Sequence, residues 1–290
     1  MVSSSTGGAA PPSEGESGPA PLGPAPVDLH HVVVPLDGSP FAERALPVAA
    51  WLAGAVGAQV HLVEVIPAAD EEGAENATRY LDSTCRHHHG ASWDLVREDE
   101  VAGALAAEVA HRGRLACLAT HGRGRSPTVG SVAMSLLERS REPLLLVGPA
   151  ARAVTPSDAP VAVAVGRTPH DDTLLRVALG WAARLDRDLD VITVADDGAA
   201  DVMGPDRYVD SVQARTRGSG VTVATRVVRD AMDVRDGLIP VLDRNAALVV
   251  LGWHVRSGPG PGLVAPGSHA ASILRHAAVP ALVVPLPPAG

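Results

Sequence analysis

From His30 onward the chain is built of alternating apolar and amphipathic blocks. HHVVVPLD, ending at Asp37, is a continuous apolar run too short for a buried helix, and it reads as a strand covered on both faces. In GSPFAERALPVAAWLAGAVG the period changes, and Ala42, Ala45, Leu46, Ala49 and Leu52 share one helical face. Ser39 and Pro40 read as its N-cap and first helical residue. The same logic predicts strands at QVHLVEVIP, SWDLVRE, LACLATH and PLLLVGP. Helices are predicted over residues 72–88, AGALAAEVAHR and GSVAMSLLERS. Apolar strands alternating with helices predict an α/β unit, an open parallel five-stranded sheet with helices on both faces.

After a Pro/Ala linker at 150–158 the pattern restarts. VAVAVGRTPHDDTLLRVALGWAARLDRDLDVITVADD mirrors VVVPLDGSPFAERALPVAAWLAGAVGAQVHLVEV, and GSHAASILRHAAVPALVVP mirrors GSVAMSLLERSREPLLLVG. A whole unit is repeated. The expected organisation is a tail at 1–28, one unit at 29–149, the linker, and a second unit at 159–290. The tail is Ser, Gly, Ala, Pro and Glu with few large apolar residues. It lacks the burial that offsets ordering entropy, so disorder is expected. The fifth strands of both units, at 144–147 and 281–284, are apolar edges that invite pairing. The expectation is that they pair with each other, as a dimer within one chain. Homodimers remain a further assembly.

Composition narrows the function classes. The net charge is −9 and no basic cluster stands out, which argues against a nucleic-acid or anionic-membrane partner. All 24 basic residues counted as Lys or Arg are Arg. The absence of Lys excludes a Walker A lysine, a kinase-type phosphate lysine and a Schiff-base nucleophile. No apolar run approaches the roughly 20 residues of a membrane helix. The N-terminus shows no signal-peptide pattern, so the expected location is cytoplasmic. Cys85 and Cys117 lack CxxC spacing, and Cys117 reads as a small core residue. Cys85 with His87, His88 and His89 is a poor metal set, because consecutive residues of a helix do not converge on one ion.

The candidate chemistry lies in ATHGRGRSPTVGS, residues 119–131, between a predicted strand and a predicted helix. Open parallel sheets bind ligands outside the carboxyl ends of their strands, where the strand order reverses. Asp37 and this loop are expected to meet there. Gly130, Ser131 and Val132 open a helix whose N–H groups suit phosphate. Arg123 and Arg125 read either as charge-assisted phosphate donors or as solvated cations. His121 reads either as a phosphate contact or as a strand cap. No Ser-His-Asp spacing or nucleophile elbow appears, so no catalytic residue is assigned.

These pieces resemble the universal stress protein family in a tandem form, over about residues 29–149 and 159–286. The carriers are VVVPLDGSPFAERAL, THG followed by GS, and PLLLV in the first half, with LGWH and GSHAASILRHAAVPALVV in the second. The resemblance implies an adenine-nucleotide alpha-hydrolase-like fold with strand order 3-2-1-4-5. It also implies an ATP site, present in some members and absent in others, between the first and fourth strand ends. Carried over by motif, Asp37 contacts the nucleoside, Pro35 and Leu36 line its pocket, and Val65 brackets adenine. Gly122 and Gly130-Ser131 match the second Gly and final Gly-Ser of Gly-x2-Gly-x9-Gly-Ser/Thr. Ala119 stands at the first Gly, and only seven residues separate Gly122 from Gly130. Arg123 and Arg125 either compensate for that shorter loop as phosphate donors or are solvated loop cations. In the second half Gly166 replaces Asp37, and Val255 replaces the second Gly although Gly252 matches the first, so a degenerate site is expected. The implied role is a stress-response regulator that binds ATP in the first half without turnover, with Mg2+ only alongside ATP, and with a protein partner the sequence does not identify. A slow adenine-nucleotide hydrolase and a nucleotide-free interaction module remain open beside it.

Overall fold

In the computed structural model, residues 20–88, 90–121, 130–152, 158–195, 204–229, 234–254 and 269–287 are described. Strand β1 (His31–Leu36) buries Val32, Val34 and Leu36 on one face and Val33 on the other, which is why its apolar run is unbroken. The chain then makes a tight 3-10 turn at Ala42–Arg44 before α1 (Ala45–Val56). Ser39 caps this turn, its Oγ accepting the Ala42 N–H at 3.2 Å. Gly57 ends α1 in the left-handed conformation that glycine adopts without strain. The first half continues through β2 (Gln59–Ile66), α2 (Glu71–His87), β3 (Ser92–Arg97), α3 (Val101–Val109), β4 (Arg114–Ala119), α4 (Ser131–Arg139) and β5 (Leu144–Val147). The second half repeats the order: β6 (Val161–Val165), α5 (Asp171–Leu185), β7 (Leu189–Val194), α6 (Pro205–Thr216), β8 (Val223–Val228), α7 (Val234–Asn245), β9 (Leu248–His254), α8 (His269–His276) and β10 (Ala281–Leu286).

Each half keeps the order 3-2-1-4-5, but the two sheets are not separate. All strands join one ten-stranded sheet in the order β3-β2-β1-β4-β5-β10-β9-β6-β7-β8. Within each half the pairs are parallel. At the centre β5 and β10 run antiparallel, with Leu144 opposite Val283, Leu145 opposite Leu282 and Leu146 opposite Ala281. The apolar fifth strands cover each other, as edge chemistry demands. This pairing is why two expected five-stranded sheets become one. Helices α1, α2, α5 and α6 pack on one face over Leu52, Leu81, Leu179 and Val212. Helices α3, α4, α7 and α8 pack on the other over Leu105, Leu136, Leu242 and Ile273.

The tail departs from expectation. Residues 20–28 are not free of the fold but lie against the second half. Leu22 is buried, its N–H donates to Arg215 O at 2.7 Å, and the Ala25 N–H donates to Arg176 O at 2.8 Å. Arg215 Nε in turn donates to Ala20 O at 3.2 Å. Two apolar anchors, Leu22 and Val27, with backbone hydrogen bonds on either side, offset the ordering entropy that composition alone left unopposed. A Cβ on Gly180 of α5 would sit 2.1 Å from Ala25 O, so the strap approaches that helix as only glycine allows. The remainder of the expected tail, residues 1–19, lies outside the described residues.

Candidate functional site

The site begins where strands part. β1 pairs with β4 only from His31 opposite Arg114 to Val33 opposite Ala116, yet the strands run on to Leu36 and Ala119. On the other side β1 stays paired with β2 through Leu36 opposite Glu64. The carboxyl ends of β1 and β4 therefore diverge, opening a crevice at the point where strand order reverses.

Asp37 leaves β1 at this crevice. Its Oδ1 accepts the Ser39 N–H at 2.9 Å, which fixes the carboxylate in a turn. Gly38, at φ 71°, supplies the left-handed residue that this turn requires. Pro35 pairs with Val63, and Leu36 is buried below it. Val65, half-buried near the end of β2, packs on the α3/α4 side of the sheet. Opposite them, β4 ends at half-buried Ala119, followed by buried Thr120, whose N–H donates to Val147 O at 2.9 Å. Gly122 and Arg123 lie outside the described residues, and so does Arg125.

Gly130 is the N-cap of α4, and its own N–H donates back to Thr120 O at 2.5 Å. That bond ties the start of α4 to the end of β4. Gly130 has no side chain with which to cap α4, and the first intrahelical bond is Met134 N–H to Gly130 O. The N–H groups of Ser131, Val132 and Ala133 form the first turn of the helix, and among the described residues no side chain caps them. Val132 is partly buried against the core, and Ser131 is exposed.

Sequence reasoning singled out His121 here but not the two arginines near it, Arg44 and Arg275. His121 Nδ1 lies 2.9 Å from Thr120 Oγ1. Burial pushes the pKa of His121 down, and the positive charges of Arg275 and Arg44 push it further the same way. Arg44 donates to Pro149 O at 2.6 Å, which anchors it beside the end of β5. Arg44 sits on a helical turn with no local signal. Arg275 belongs to the other repeat, and only the β5·β10 pairing brings it near.

The second half is built differently at the same place. β6 and β9 also part early, pairing only from Val161 opposite Leu248 to Val163 opposite Val250. But Gly166 stands in the place of Asp37, and Arg167 takes the left-handed turn position at φ 58°. A Cβ on Gly252 would meet Leu286 Cδ1 at 2.4 Å and Leu174 Cδ1 at 3.3 Å. Leucine side chains fill the space that Gly252 faces. Val255, Gly267 and Ser268 lie outside the described residues.

A second polar cluster sits near the amino ends of the strands. Buried His61 on β2 places Nδ1 2.8 Å from Ser92 Oγ and Nε2 3.3 Å from Asp94 Oδ2. The repeat holds the same position with the charges exchanged: buried Asp190 on β7 accepts from Arg226 Nε on β8 at 2.7 Å. Burial pushes the His61 pKa down and that of Asp190 up. Recurring in both halves, these pairs read as ties between the second and third strands.

Among the described residues no helix is long and apolar enough to cross a membrane. The solved structure of a universal stress protein from Archaeoglobus fulgidus DSM 4304 superposes with a TM-score of 0.68 at 18% identity, covering 88% of this chain and 98% of that one. A functionally unknown protein from Pseudomonas aeruginosa PAO1 superposes with a TM-score of 0.61 at 18% identity, covering 89% and 92%. At that identity the likeness speaks for the fold. No curated protein matches the chain's sequence. The model of the universal stress protein family matches residues 29–148 and again residues 159–285. With both repeats matched, the chain belongs to the universal stress protein family, as a tandem two-domain member.

Proposed function

We propose that this protein is a regulator of the stress response that binds an adenine nucleotide, ATP foremost, in the crevice of its first half and holds it without turnover. The observation that carries this reading is the parting of β1 and β4 between a fixed carboxylate, Asp37, and the glycine-started N-terminus of α4. A nucleoside phosphate fits that pair. The Asp37 carboxylate, held by Ser39, would accept hydrogen bonds from ribose hydroxyls. Pro35, which alternates onto the same side of β1 as Val33, and Val65 would give the base an apolar wall. The N–H groups of Ser131 and Val132 point partial positive charge at a phosphate. Gly122 and Arg123 belong to the same proposal by motif.

Binding without chemistry is part of this proposal, and what the described residues do supports it. Turnover of a phosphoanhydride needs a positioned base and metal ligands at the phosphates. Asp37 is committed to its own turn and His121 to Thr120. Among the described residues no group of three or more His, Cys, Asp or Glu side chains gathers to hold a metal. Mg2+ would enter on the nucleotide, held by its phosphates and water. Cytoplasmic location and a protein partner that reads the nucleotide-bound state belong to the same proposal.

Two observations favour a nucleotide-free interaction module as the second reading. Ala119 carries a methyl group where close backbone approach needs Gly, and the Gly130 N–H is already taken by Thr120 O. Calorimetric titration of ATP into wild type and Asp37→Ala separates the two. Heat with wild type, lost or weakened about tenfold or more in the variant, supports the nucleotide reading. No heat with either selects the module. Phosphate release on long incubation with ATP would overturn the claim of no turnover.

A further inference from the structure

The first crevice does not belong to the first half alone. At the seam Gly148 follows β5, and a Cβ there would lie 2.2 Å from Leu274 O of α8. α8 therefore abuts the end of β5 directly, and the next residue along it is Arg275. On the other side of that contact, Val147 O receives the Thr120 N–H at 2.9 Å, and Thr120 leads to His121. Pro149 O receives Arg44 at 2.6 Å. Arg152 N–H crosses back to Ala278 O at 2.9 Å, closing the seam. Arg44, His121 and Arg275 thus converge from three elements on the end of β4, beside the start of α4. The charges of both arginines reach His121 and disfavour its protonated form.

Arg275 is not used up in holding the seam. Its Nε is buried and makes no hydrogen bond among the described residues. A guanidinium with a buried donor left unpaired is costly unless an acceptor arrives. The repeat supplies an internal contrast. Glu138 stands six residues before β5 as Arg275 stands six before β10, so α4 carries a carboxylate where α8 carries a guanidinium. Cationic character at this seam position is specific to the helix that faces the first crevice.

We propose that Arg275, from the second half, is a phosphate-binding residue of the first-half crevice, acting with Arg44 on a nucleoside polyphosphate bound there. This rests on the nucleotide reading above. It adds that the ligand's phosphates span the seam between the repeats, so the second half is required for phosphate recognition although leucines close on Gly252 at its own crevice. A guanidinium suits the task because its planar donors pair with phosphate oxygens by charge-assisted bonds.

The test uses the full chain and three probes: ATP, adenosine and inorganic tripolyphosphate. Arg275→Ala is expected to weaken ATP and tripolyphosphate binding about 10- to 100-fold and to leave adenosine unchanged. Asp37→Ala is expected to weaken ATP and adenosine and to spare tripolyphosphate. Arg275→Gln keeps a polar end and the start of the aliphatic stem while removing the charge, so it covers the case in which the alanine variant fails to fold. It is expected to lose the same phosphate selectivity with an unchanged melting temperature. ATP affinity in Arg275→Gln equal to wild type overturns the assignment and leaves the nucleotide reading standing. Wild type that binds adenosine no more weakly than ATP also overturns it. Wild type that binds none of the probes overturns the nucleotide reading and this inference together, and that failure appears in wild type rather than in the variant.

Discussion

Leu145 and Leu282 face each other across the antiparallel seam, both fully buried in the same core. Truncating Leu145 to Ala removes three carbon groups, a transfer loss of about 0.8 kcal/mol each. The cavity left in a sheet covered on both faces collapses poorly, which brings the total to about 3–5 kcal/mol. Against a stability of roughly 5–15 kcal/mol, that is a large fraction. The distinctive expectation concerns cooperativity. Because β5 and β10 unite the halves in one sheet, both repeats should melt in a single calorimetric transition, and Leu145→Ala should move all of it. Leu282→Ala should cost a similar amount. The double variant should fall short of the sum by about 0.5–3 kcal/mol, since the two deletions share one cavity. Leu145→Glu, which buries an unpaired carboxylate, should be worse than Leu145→Ala. Two resolved transitions in wild type, with Leu145→Ala shifting only one, would refute a shared sheet. Strict additivity of the two alanine substitutions would refute their contact.

Gly180→Ala separates helix propensity from the strap. Propensity alone predicts a gain of about 1 kcal/mol within α5, whereas the 2.1 Å approach to Ala25 O predicts a net loss and faster proteolysis across residues 20–27. A raised melting temperature with unchanged proteolysis would count against the strap. For pH, His61 and His121 both have folded pKa values below the ordinary 6.5, so folding favours their neutral forms. Their contribution is fully present above pH 6.5 and is lost as pH falls below it, by at most about 1.4 kcal/mol per pH unit for each group. The melting temperature should therefore decline from pH 7 to pH 5.5, and His61→Gln should reduce that decline. An identical pH profile in the variant would contradict the assignment.

Much of the fold was legible because a doubly covered parallel sheet writes itself as apolar runs. Val32–Val34 and Leu144–Val147 are buried on both faces, and no other element produces such short unbroken stretches. The seam was legible for a related reason, since exposed Leu144–Val147 and Ala281–Val284 would have been untenable edges. The strap was not, because Leu22 and Val27 are isolated apolar residues in a Pro/Gly-rich segment, and their docking partners lie on α5 and α6. Asp37 and the Gly130-Ser131 helix start were visible as motif pieces. Arg44 and Arg275 were not. Both lie inside stretches that carry the family resemblance but at positions to which it assigns no ligand role, and the approach of Arg275 exists only once β5 and β10 have paired.

The asymmetry between the repeats has a packing cause. Gly38 and Arg167 hold the same left-handed turn, so the backbone of that crossing is kept in both halves. What differs is the material around it. By the same repeat spacing, Ala45 and Pro149 of the first half correspond to Leu174 and Leu286 of the second, the leucines that close on Gly252. Each buried leucine contributes about 1.5–3 kcal/mol of burial, so the second half gains stability where the first keeps a parted, polar-ended crevice. A duplicated unit joined through one seam can hold both arrangements, because stability in one half supports the whole sheet when unfolding is cooperative. The second half would then lend the first rigidity through β10, and a cation through α8.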